Sequence, residues 1–156
     1  MLTAPFAVAC GGDAGPPVGP PDGVAKAIPV IFAGGTVGAE LAATIAQRQT
    51  GLMNRAMIAA DSGMLFVWPT DQPVGPFSAF FWMKNTSIPL SIAFFDVSKQ
   101  VIDVQDMVPF DTVTRHRPTM PYRYALEVRQ GWFTQHGVTA GAQAAFTLPA
   151  GLVIDP

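Results

Sequence analysis

A single cysteine in the chain excludes an internal disulfide and any cysteine-rich metal site. The only histidines, His116 and His136, are far apart in sequence and do not have the spacing of a zinc-ligand pair. Charge is also scarce. Only 13% of the residues are Asp, Glu, Lys or Arg, about half the share usual in a soluble domain, and the formal balance is −2. That balance argues against a general nucleic-acid binder, whose affinity rests on a basic footprint. No stretch approaches the ~20 continuous apolar residues of a membrane-spanning helix. There is no HExxH or HxxEH, no GxxxxGK phosphate cradle, no GxGxxG and no GxSxG. Common metal, nucleotide and acyl-enzyme signatures are therefore missing, and neither a metal nor a cofactor is expected.

What the chain does have is apolar residues, 49% of 156, enough to fill the core of one domain. They are unevenly placed. Residues 11–23 are almost all Gly and Pro, a composition that cannot bury enough apolar surface to offset its ordering entropy. Before that run stands Phe6-Ala7-Val8-Ala9-Cys10-Gly11. Small residues ahead of a Cys and a Gly after it resemble a bacterial lipobox, in which the Cys is lipid-modified, although Ala7 stands where leucine is preferred. The expectation is a signal-peptide remnant and flexible linker over 1–26, with Cys10 as the lipidation site, and a single globular domain over 27–156. The compartment would then be extracytoplasmic, periplasmic or membrane-tethered. The other reading leaves Cys10 as an ordinary small residue in a tail.

From residue 27 short apolar runs alternate with turn residues, as in a β-rich domain. Strands are expected over 27–33, 36–43, 64–68, 77–83, 90–95, 100–107, 122–128 and 144–148. Pro69 is expected to end the third of these. Thr44-Ile45-Ala46-Gln47 has the form of a capping box opening a short helix, with Gly51 placed to end it. Residues 131–136 read as another helical turn or two, and Asp96-Val97-Ser98-Lys99 as a hairpin turn. The fold class is α+β, mostly β: a compact barrel-like or strongly twisted sheet of about eight short strands with two short helices.

Four segments carry a resemblance. They are Gly51-Leu52-Met53-Asn54-Arg55, Gly63-Met64-Leu65-Phe66-Val67, the string from Phe81 to Leu90 with Trp82-Met83-Lys84-Asn85-Thr86, and Ala125-Leu126-Glu127-Val128 with Gly131. Together, over roughly 36–148, they resemble domain-of-unknown-function family 192, a bacterial and archaeal family often exported or lipid-anchored. The resemblance implies a fold and no settled activity. This chain has Ser91 and Ala142 where relatives carry Asp, which removes two acids from consideration.

Several residues are candidates for chemistry. Lys84, Asn85 and Thr86, beside Trp82, offer an ammonium, an amide and a hydroxyl to a polar ligand. Alternatively Asn85 and Thr86 satisfy the backbone of a demanding turn, with Lys84 capping a carbonyl or paired to Glu127. Arg55 could clamp an anion in bidentate fashion, or pin its loop through Glu40 or Glu127. Glu127 stands in an apolar strand and, by period-2 alternation, shares a face with Arg123, Ala125 and Arg129, opposite Tyr122, Tyr124, Leu126 and Val128. It reads either as one of a surface row of ion pairs or as a ligand-facing acid. Arg115, His116, Arg117, Arg123 and Arg129 form the one local basic excess, a patch for an anionic partner or a solvated loop. The aromatic group Phe77, Phe80, Phe81, Trp82 and Phe94 reads as core, unless a tryptophan lines a groove and offers a stacking platform.

The functional expectation is an extracytoplasmic binding or accessory domain using Arg55, Trp82, Lys84, Asn85, Thr86 and Glu127. Its partner would be a small molecule or an envelope polymer, anionic or carbohydrate, with no nucleic acid and with membrane contact only through Cys10. The alternatives are an enzyme acting on an envelope polymer with Glu127 as acid or base, and an assembly module with an exposed apolar patch.

Overall fold

The computed structural model describes residues 27–72 and 79–156. The expected tether and Cys10, as well as Phe77, lie outside the described residues. Six strands form one mixed sheet: β1 (Ile28–Phe32), β2 (Gly35–Ala42), β3 (Ser62–Gln72), β4 (Leu90–Phe95), β5 (Val101–Met107) and β6 (Tyr122–Arg129). The helices are α1 (Ile45–Thr50) and α2 (Trp132–Gln135). The strand order is β1-β2-β3-β6-β4-β5, antiparallel throughout except for the parallel pair β2–β3.

Among the described residues the sheet is open, not a barrel, and six strands replace the expected eight. Two expected strands account for the difference, and each lies on the sheet instead of joining it. In 79–83 only Phe81 makes a bridge, to His116. Phe81 and Met83 are buried, so this segment uses its apolar residues to cover a sheet face. Segment 141–146 caps both sheet edges without pairing continuously. Ala145 bridges to Ile31 of β1, and Gly141 and Ala142 exchange backbone hydrogen bonds with Val101 of β5. The sheet thus curls towards closure, but a coil segment spans the gap.

Period-2 alternation divides the core in two. Val30, Val37, Leu41, Leu65, Val67, Ala93, Leu126 and Val128 face one side, where α2 contributes Trp132 and Phe133 and the C-terminal segment adds Phe146. Met64, Phe66, Trp68, Leu90, Ile92, Phe94 and Ala125 face the other, closed by Leu52, Phe81 and Met83 from loops. On this second side Phe66, Trp68, Phe81, Phe94 and Tyr122 meet edge to face at centroid distances from 4.8 Å (Phe66–Phe81) to 6.0 Å (Trp68–Phe81). Such pairs add about 0.5–1.5 kcal/mol each beyond their area burial.

Two local departures share one cause. β3 runs through Pro69 instead of stopping there, and Tyr122 joins the second core and not the face of Tyr124. Val67 pairs with Tyr124 but Gln72 with Tyr122, so extra residues of β3 bulge opposite β6. A proline is tolerated in such a bulge because the ladder there needs no N–H. The capping box forms as expected: Thr44 Oγ1 accepts from the Gln47 amide, and Gln47 Oε1 accepts from the Thr44 amide.

β3 and β6 pack closely at Gly63. A Cβ there would lie 2.3 Å from the Glu127 carbonyl oxygen and 3.0 Å from Val128. Gly63→Ala is expected to cost about 1–3 kcal/mol, the range for overpacking, read as a lower urea midpoint at unchanged slope. An unchanged midpoint would show that the two strands can part without loss.

Candidate functional site

The second core face is only partly roofed. α1 and its continuation through 51–53 stand on one side and segment 79–86 on the other, leaving a cleft of about 850 Å³. Its walls are aromatic, with Phe66, Trp68, Phe80, Phe81 and Trp82, and its polar lining includes Lys84, Asn85, Thr86 and Glu127.

Glu127 is the unusual group. β6 is hydrogen-bonded on both sides, so Glu127 has Met64 of β3 and Ile92 of β4 as its in-register neighbours. The residue is buried, and its carboxyl has no hydrogen bond or ion pair among the described residues. It is therefore not part of a surface row of ion pairs with Arg123 and Arg129. A charge in that setting would lack compensation, so burial pushes its pKa up to about 8 and the group is a neutral acid at pH 7.

The turn before β4 forms the opposite wall. Asn85 takes a left-handed backbone, φ 54°, which asparagine tolerates better than most residues. The Thr86 amide closes onto the Met83 carbonyl, and the Thr86 hydroxyl donates to the Lys84 carbonyl. Neighbouring loops pin the turn, because the Asn54 amide donates to Asn85 O and the Phe110 amide to Thr86 O. Lys84 is exposed, with Nζ 5.3 Å from the Trp82 ring centroid and no hydrogen bond or ion pair among the described residues, Glu127 included. Trp82 is half-buried on the cleft, unlike the buried Trp68 and Trp132.

Arg55 does not line the cleft. Its guanidinium forks onto Glu40, with Nη1–Oε1 at 2.6 Å and Nη2–Oε2 at 2.7 Å, pinning its loop to β2. The expected basic patch is also divided. His116 is buried, its Nδ1 3.0 Å from Gln105 Oε1 and its Nε2 without a partner among the described residues, and desolvation lowers its pKa. It therefore adds no surface charge at neutral pH. Arg123 donates to the Trp68 carbonyl at 2.7 Å, whereas Arg129 is exposed. Arg115 stands over Phe80 and Trp82 at 4.7 and 5.0 Å from the ring centroids.

Arg48 is a cleft residue that sequence reasoning missed. Its terminal nitrogens donate to the carbonyls of Ala43, Val67, Asp155 and Pro156, joining α1, β3 and the C-terminus, while its guanidinium lies 5.5 Å from the Trp68 ring centroid. The signal available was slight: a basic residue in the last turn of a capped helix.

The model of the family DUF192, described as an uncharacterized ACR family, matches residues 30–146. Two solved structures are similar. One, from Novosphingobium aromaticivorans DSM 12444, is of a protein of unknown function; it is 30% identical, with a TM-score of 0.69 over 85% of this chain and 94% of that one. The other, from Sinorhizobium meliloti 1021, is described as a "putative transcription regulator"; it is 31% identical, with a TM-score of 0.68 over 79% of this chain and 95% of that one. No curated protein matches the chain.

The raised pKa of Glu127 makes folding pH-dependent with a definite sign. The unfolded chain ionises this group near 4.5 and the folded chain only near 8. The ionisation-linked penalty is therefore absent below 4.5 and grows as pH rises to 8, reaching at most about 5 kcal/mol. Glu127→Gln is expected to match the parent at pH 4 and to be the more stable by several kcal/mol at pH 9, in urea unfolding. Equal stability at both pH values would mean that the carboxyl is ionised and compensated in the folded state.

Proposed function

The chain belongs to the DUF192 family, and we propose that its fold here is a binding domain whose cleft seats a polar ligand against Glu127, Trp82 and Lys84. The observation that carries this reading is the carboxyl of the buried residue Glu127, which lines an open aromatic cleft and has no hydrogen bond or ion pair among the described residues. Buried polar groups are normally hydrogen-bonded, and a ligand would supply the missing partner. As a neutral acid, Glu127 can donate one hydrogen bond and accept another, as a hydroxyl-bearing ligand requires. Trp82 offers a flat apolar surface to a sugar or peptide face, and Lys84 a cation to a ligand acid. The ligand class is an anionic or carbohydrate component of the cell envelope. The proposed compartment is extracytoplasmic, supported by the Cys10 context and the Gly/Pro run behind it.

A second reading makes the domain an enzyme. A carboxyl held near pKa 8 is protonated at neutral pH and is suited to act as a general acid. Hydrolysis of a glycosidic bond usually needs a second carboxylate across the bond, and no other Asp or Glu lines the cleft among the described residues. Binding is therefore the better-supported reading. A role on nucleic acid has less support: the chain carries −2, and Arg48, Arg55 and Arg123 are engaged with internal acceptors.

A panel of neutral and uronic-acid oligosaccharides, titrated calorimetrically, tests the proposal. Trp82→Ala and Lys84→Ala are each expected to weaken binding about tenfold, roughly 1.4 kcal/mol, with little change in thermal midpoint. Affinity should also fall as pH rises through about 8, where Glu127 ionises. Failure of every oligosaccharide to bind, or binding indifferent to both substitutions, would sink the proposal.

A further inference from the structure

Three loops meet at the end of the sheet where β3 and β4 begin and β5 ends: 54–58, 84–89 and 108–115. They are tied together by the main chain. The Asn54 amide donates to Asn85 O, the Ser87 hydroxyl to Arg55 O, the Phe110 amide to Thr86 O and the Met83 amide to Asp111 O. Within 108–115 the Asp111 carboxylate accepts from the Val113 and Thr114 amides and from the Thr114 hydroxyl, an arrangement that holds its pKa down to about 2. The loops are thus tightly cross-braced.

Besides polar groups, they present four large apolar side chains to solvent. Val113 is 85% exposed, Met57 79%, Phe110 64% and Val108 63%. Phe110 also has φ 61°, a left-handed backbone that costs a bulky residue strain. Folding gains little from a strained residue whose ring faces water, which points to a gain made elsewhere. Among these side chains stand two cations. Lys84 occupies the central turn, and Arg115 is held beside Phe80 and Trp82.

We infer that this three-loop end docks on an anionic lipid surface, with Phe110, Val113, Met57 and Val108 entering the interface and Lys84 and Arg115 meeting headgroup phosphates. The charge pattern supports a lipid surface. Lys84 and Arg115 stand on the same cross-braced loops as the apolar side chains, and the acid on those loops, Asp111, has both carboxylate oxygens turned onto donors of its own loop. Exposures this high describe separate projections, which a deformable bilayer receives more readily than a flat protein face, where a stable contact needs about 800 Å² on each side. Docking would be reversible, because each cation near an anionic leaflet adds only a modest attraction. It needs no lipid at Cys10, and it places the cleft mouth, which Lys84 shares, at the bilayer surface.

Sedimentation of the unlipidated full chain with vesicles tests this. Vesicles of phosphatidylcholine with phosphatidylglycerol should pull the protein down, more weakly as salt is raised, and pure phosphatidylcholine should bind at least tenfold less. The double variant Phe110→Ser/Val113→Ser, at two positions outside the cleft lining and with the backbone bond from Phe110 to Thr86 kept, should lose at least tenfold in partition. Met57→Ser/Val108→Ser gives a second route should the first variant lose its native circular dichroism spectrum. No binding to the anionic vesicles, or binding unchanged in both variants, overturns the inference. So does a concentration-dependent dimer abolished by the same substitutions, which would make a second copy the occupant. Failure of the cleft proposal would leave these outcomes unchanged, because vesicle partition requires no cleft ligand.

Discussion

A carboxyl group stands on a strand that is hydrogen-bonded along both edges. β6 pairs with β3 and β4 at once, so every residue from Tyr124 to Val128 is buried, and Glu127 is taken out of water with them. Its in-register neighbours, Met64 and Ile92, offer no hydrogen bond to a carboxylate. Beside it, Gly63 leaves no room for a side chain, since a Cβ there would stand 2.3 Å from the Glu127 carbonyl oxygen. The neutral acid follows from that placement, and among the described residues the loops above it leave a cleft.

The basic residues explain why no cation among the described residues neutralises that acid. Arg55 is spent on Glu40, Arg123 on the Trp68 carbonyl, and Arg48 on four carbonyls that join the C-terminus to α1 and β3. Lys84 lies over Trp82 at the cleft mouth and not against Glu127. In a chain of net charge −2, the cleft lining therefore carries positive charge at pH 7, with its one acid protonated. That combination suits hydroxylated or anionic ligands, whereas an ionised Glu127 would repel an acid.

Much of this was readable from local chemistry. Thr44 and Gln47 specify the capped start of α1, the 96–99 turn places β4 beside β5, and alternation correctly put Ala125 and Glu127 on one face of β6. The polar turn at 84–86 was identifiable because an aromatic run ahead of it and Pro89 behind it leave a short rigid polar stretch. What was not readable was non-local. Segments 77–83 and 144–148 have the apolar pattern of strands, yet in 79–83 and 144–146 buried residues pack onto the sheet while making only isolated bridges. Pro69 sits in a bulge that only the β3–β6 register reveals. The environment of Glu127 depends on which strands flank β6, and neither neighbouring arginine reports it.

The protonation state of Glu127 is the point on which the account turns, and infrared spectroscopy reads it directly. A difference spectrum between the parent and Glu127→Gln at pH 6.5 should contain the carbonyl band of one protonated carboxylic acid, and that band should titrate away near pH 8. Its absence at pH 6.5, with a carboxylate signal that titrates near the ordinary glutamate value of ~4.3, would contradict the account.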